Sequence, residues 1–173
     1  MTAIVTKLFF AGTLAAIGTI GGAPSQAISD GELQRMASAG QYPVACNDAQ
    51  LAANALRSKP TVEKLHAAAT AFGACAKSPY GIGSNALANQ ANFAASAALL
   101  LAARNEPPAA AANDARAAAE LAQTIIVYRR PSNATGPTRN NDPSPHLTDA
   151  GRIERDANAL LAYYSPATKT PAT

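Results

Sequence analysis

The sequence contains no tryptophan, few aromatic residues (5%) and little valine or isoleucine. Sheets draw on β-branched and aromatic side chains, so an all-β fold has almost nothing to be built from. Charge is sparse as well, with 14 Lys and Arg against 11 Asp and Glu. A nucleic-acid partner calls for clustered basic residues, and this near-balance offers none. Signature motifs are also missing. There is no C-x-x-C-H for covalent haem, no G-x-S-x-G nucleophile elbow, and no C-x-x-C or paired histidine for redox or metal chemistry. Gly81-Ile82-Gly83-Ser84 lacks a P-loop lysine and follows no predicted strand, so it reads as a flexible turn with a helix cap. The sequence therefore implies no catalytic, cofactor-binding or metal residue.

What is present in abundance is alanine, the residue with the highest intrinsic helix propensity. The fold expected is all-α: an alanine-rich antiparallel bundle of five to six helices, preceded by a signal peptide. Each alanine buries little apolar area, so such helices gain stability only by close approach.

Residues 1–27 have the three-part layout of a secretory signal. Lys7 supplies the early positive charge, Leu8 to Gly22 the apolar run, and Ala23-Pro24-Ser25-Gln26-Ala27 the small residues before a cut after Ala27. No later run is long enough for a span, which takes about 20 apolar residues. A periplasmic or secreted location follows, with residues 28–164 as one helical domain and 165–173 as a flexible tail.

Caps and periodicity divide the domain. Ser29 and Glu32 have capping-box spacing before a helix over 30–39. A second helix covers 47–58 with Leu51, Ala52, Ala55 and Leu56 as its apolar stripe. A third runs from Pro60 or Thr61 to Lys77 on Val62, Leu65, Ala69, Phe72 and Ala76. Residues 78–84 read as a linker. A fourth helix, 85–104, is capped by Ser84. A fifth follows Asn105-Glu106-Pro107-Pro108 and runs to Tyr128 on Ala111, Ala115, Ala118, Ala122, Ile125 and Ile126. Glu106 and Asp114 fall early in it, where they suit the helix dipole. The sixth, 149–164, is capped by Thr148.

Cys46 and Cys75 lie beyond the signal, where an even count favours a disulfide. Cys46 precedes Lys59 by 13 residues and Cys75 follows it by 16. If the second and third helices form a hairpin turning near Lys59, its arms differ by about 4–5 Å at 1.5 Å per residue. Both cysteines then meet at the open end, and closing a loop of this size adds roughly 3–4 kcal/mol in the chain-entropy model.

Residues 131–147 are rich in Pro and Asn, and a loop of that length is usually functional or disordered. Arg129, Arg130, Arg139 and His146 mark it as a candidate partner-binding loop. His66 and His146 have no second histidine or carboxylate at ligand spacing and read as surface or structural residues. Glu154 and Asp156 beside Arg152 and Arg155 read as a solvated charged face.

Three functions follow in order. The first is a non-enzymatic interaction or scaffold protein of the envelope, binding an unidentified protein. The second is a binder of a small apolar ligand, with Phe72, Phe93, Ile125 and Tyr128 as pocket walls. The third is an enzyme, which requires a polar cluster hidden by sequence distance, such as His66 meeting Glu63, Glu120 or Asp114 in a cleft.

Overall fold

The computed structural model describes residues 26–129 and 145–164. The predicted signal segment up to residue 25, the stretch 130–144 with Arg130 and Arg139, and the tail 165–173 lie outside the described residues. Every regular element among the described residues is helical. In chain order these are α1 (Asp30–Ser38), a 3-10 turn (Val44–Cys46), α2 (Asn47–Ala55), α3 (Val62–Lys77), α4 (Pro79–Ile82), α5 (Asn85–Ala103), α6 (Pro108–Arg129) and α7 (Pro145–Tyr164).

Side-chain oxygens start four of these helices by accepting orphan backbone N–H groups. Ser29 accepts from Glu32, Thr61 from Lys64, Ser78 from Gly81 and Ser84 from Leu87. Glu32 of the Ser29 capping box also reaches across to another helix. Its carboxylate takes both Arg152 nitrogens, Nη1 at 2.6 Å and Nη2 at 3.2 Å, which ties α1 to α7.

α5 is the central element, packed against α1, α3, α4, α6 and α7. Its buried residues, Ala91, Phe93–Ala98 and Leu100–Ala103, run round the whole helix. By length and composition α5 is apolar enough to cross a membrane, but most of it is buried against the other helices. The single buried hydroxyl among them, Ser96, donates to the Phe93 carbonyl at 2.8 Å. α6 buries Ala111, Ala115, Ala118, Ala122 and Ile125 of the stripe read from the sequence; the burial of Ile126 lies outside the described residues.

Four local features differ from the sequence reading. α2 stops at Ala55; Pro60 has no N–H to offer the Leu56 carbonyl, and Gln34 Nε2 on α1 instead donates to the carbonyls of Leu56 (2.8 Å) and Ser58 (3.0 Å). The inward face of α2 is Ala49, Ala53 and Leu56, while Leu51 is exposed. Small residues face α3, where close approach is needed. Residues 78–84 are not a plain linker: Pro79–Ile82 forms the short helix α4, with Ser78 as its cap and proline at its first position, where a missing N–H is harmless. Gly81 is required there, since a Cβ would lie 2.3 Å from the Ala76 carbonyl oxygen and 2.4 Å from that of Cys75. Finally, α7 begins at Pro145 rather than Asp149, again with proline in the first turn, so Thr148 lies inside the helix and His146 belongs to it.

The disulfide joins Cys46 to Cys75 with 5.4 Å between Cα atoms, at the start of α2 and near the end of α3. A bridge of this kind is compatible with an oxidising extracellular compartment.

Candidate functional site

His66 sits in the second turn of α3, Glu106 in the α5–α6 turn and Asp114 in the second turn of α6. α3 and α6 both pack on α5, and that packing brings the three side chains to one corner. His66 Nε2 lies 2.5 Å from Asp114 Oδ2 and 3.3 Å from Glu106 Oε1. One ligand atom from each residue falls within 4.8 Å of the other two. Separations of 40 and 48 residues from His66 hide this from any local pattern; the sequence shows no carboxylate at ligand spacing and offers Asp114 only as one of several acids that His66 could meet.

Burial is graded across the corner. The Glu106 side chain is 9% exposed and the His66 side chain 42% exposed, so the cluster has a closed floor and an open rim. Glu106 Oε2 is buried with no hydrogen-bond partner. Burial first, and then the neighbouring Asp114 carboxylate, hold the Glu106 carboxyl above the usual carboxylate range, against the pull of His66. The hydrogen bond to Asp114 raises the His66 imidazole above its ordinary value; burial opposes this, and the charges of Asp114, Glu106 and Glu63 add to it. The corner thus presents one imidazole nitrogen and two carboxylates to whatever approaches the rim.

Of the residues the sequence proposed around His66, Asp114 is its direct partner and exposed Glu63 contributes charge alone. Glu106 was read as a helix-dipole residue. Both cysteines are in the disulfide, so no thiol nucleophile is available. Beside this corner, Gln34, Pro60, Val62, Leu65, Leu101 and Asn105 help line a surface pocket of about 320 Å³.

Of the proposed pocket walls, Phe72, Phe93 and Ile125 belong to one buried core cluster. Phe72 is fully buried and stacks on Tyr42 with ring centroids 5.4 Å apart, and Ile125 is buried on α6. Phe93 borders a recess of about 130 Å³ with Met36, Gly40 and Gln90. Tyr128 and Arg129 belong to the last turn of α6. Asp156 is not on a solvated face. Its buried carboxylate accepts from the Ile28 backbone N–H at 2.7 Å and from Arg104 Nη2 at 3.1 Å.

At the disulfide end, Val44, Cys46, Ala71, Ala74, Cys75 and Ser78 help line a recess of about 220 Å³. Val44 is 93% exposed and Ile82 on α4 is 75% exposed, with Tyr80 exposed beside it.

No family model, curated protein or solved structure matches the chain.

Proposed function

We propose that the chain is an exported, non-enzymatic helical protein, an antiparallel bundle that recognises another protein through its disulfide-bridged end. The observation carrying this reading is the exposed Val44 side chain on the recess at that end, together with exposed Tyr80 and Ile82 on the short helix that starts after Ser78. Val44 lines that recess, and Tyr80 and Ile82 follow Ser78, which also lines it. Scattered exposed hydrophobic residues are ordinary, but a gathered patch marks an interaction site. The bridge and the Ser78 cap hold both sides of the recess in place, which reduces the ordering cost of binding. Export is supported by the signal-like layout of residues 1–27 and by the bridge itself.

The test places a photo-crosslinking residue at position 44, 82 or 64 of the exported protein, Lys64 being an exposed control on α3. The reading expects one discrete adduct from both 44 and 82, none from 64, and loss of the position-44 adduct when Ile82→Asp is added. Indiscriminate adducts from all three positions, or none from any, would refute it.

The pocket of about 320 Å³ favours a second reading, a small-ligand binder. Val62→Trp, which would fill that pocket, should then remove ligand binding and leave crosslinking from position 44 intact.

A further inference from the structure

We infer that His66 Nε2, Glu106 and Asp114 form a binding site for one divalent first-row transition-metal ion, with Zn²⁺ as its representative. The donor set selects the class of ion. An imidazole nitrogen with two carboxylate oxygens suits Zn²⁺ and its neighbours, whereas Mg²⁺ and Ca²⁺ favour oxygen-only shells. Three protein ligands with a fourth position open to solvent is the arrangement of an accessible zinc site. Here the half-exposed His66 rim leaves room for that fourth ligand.

All three ligand atoms lie within 4.8 Å of one another, and the two distances from His66 say what must move. Tetrahedral ligands about 2.0–2.1 Å from zinc lie roughly 3.3 Å apart. His66 and Glu106 already stand 3.3 Å apart. The His66–Asp114 pair, at 2.5 Å, must open by roughly 0.8 Å to reach the same spacing.

The independent observation is Glu106. Its side chain is nine-tenths buried, its Oε1 is turned to His66, and its Oε2 is buried without any hydrogen-bond donor. A buried polar atom left unmatched is uncommon in folded proteins and calls for a partner. The nearest acid, Asp114, worsens the imbalance, since two carboxylates converge on one imidazole. A dication at the common point supplies the missing positive charge to both and takes the imidazole nitrogen as a neutral ligand. This site is separate from the disulfide end: His66 precedes Cys75 by nine residues, about 13–14 Å along α3.

The experiment is calorimetric titration of the oxidised chain from residue 28 onward with Zn²⁺ alone and, separately, Mg²⁺ alone. It compares wild type with His66→Asn, Glu106→Gln and His146→Asn, and uses circular dichroism to confirm equal helix content. The expected result is one Zn²⁺ per chain. The dissociation constant should rise about 100-fold or more in His66→Asn and Glu106→Gln, beyond the effect of losing an outer-shell partner. His146→Asn should leave it unchanged, and Mg²⁺ should bind far more weakly. Because a variant could misfold, the wild type is also followed by NMR, where the His66 ring resonances should shift on adding Zn²⁺ and those of His146 should not. No Zn²⁺ binding, binding unaffected at His66 and Glu106, or Mg²⁺ binding equal to that of Zn²⁺ would overturn the assignment.

Discussion

The backbone nitrogen of Ile28 donates to Asp156 Oδ2 at 2.7 Å, joining the segment before α1 to α7 across 128 residues. Arg104 from α5 binds the same carboxylate oxygen and also the Ile28 carbonyl. Ile28 is itself buried. It is also the residue that a cut after Ala27 would expose as the new N-terminus. Processing there would turn the amide donor into an ammonium facing a buried carboxylate. Asp156→Asn in a chain beginning at Ile28 should therefore lower unfolding free energy by about 3 kcal/mol or more, as when one member of a buried ion pair is removed. Urea unfolding measures this. The loss should be smaller in a chain that keeps residues 1–27, where Ile28 carries no charge. Equal losses in the two chains would argue against a docked terminus.

Acid sensitivity should be traceable to Glu32. The hydrogen bond from Arg152 is the main cause holding this carboxyl below its ordinary value. A group depressed on folding contributes stability that is complete above its unfolded value, near pH ~4.3 for glutamate, and is lost as pH falls through the lower folded value. Glu32→Gln should thus be less stable than wild type at neutral pH, and the gap in urea midpoint should close on acidification through that range. A gap that stays constant to low pH would mean the pair contributes no pH-dependent stability.

Two glycines should respond in opposite directions to alanine. At Gly81 the new Cβ would overlap the Ala76 and Cys75 carbonyls, which are backbone atoms and cannot swing away. Gly81→Ala should cost about 1–3 kcal/mol, the range seen for overpacking. At Gly73, inside α3, an added Cβ meets nothing within 4 Å. Gly73→Ala should add about 0.5–1 kcal/mol through helix propensity. Thermal unfolding of both variants checks the pair, and stabilisation at Gly81 would contradict the packing of α4 on α3.

The elements that the sequence revealed best are those whose signal is local. Ser29 and Ser84 announce their helices because a cap needs only a hydroxyl three residues before a waiting N–H. The α6 stripe was legible because its spacing of four and three residues is filled by alanine on the buried side. α2 misled because its largest apolar residue, Leu51, was taken to face inward, whereas close packing on α3 puts Ala49 and Ala53 there. The partners of His66 and Asp156 were hidden for a different reason. Asp114 could be named as one acid among several, but nothing local distinguishes Glu106 from a residue serving the helix dipole. Arg104 and Asp156 meet only after α7 returns to α5. Side-chain clusters built across helices depend on packing, and packing in an alanine-rich chain is weakly encoded by any single position.

The account rests on a chain that leaves the reducing cytosol, is trimmed, and closes Cys46 on Cys75. Intact mass of the exported protein, taken before and after reduction and alkylation, tests that most directly. It should give a polypeptide starting at Ile28 and lighter by two hydrogens than its reduced form, with no alkylation until reductant is added. A product that retains Met1, or one in which both thiols alkylate without reduction, would contradict it.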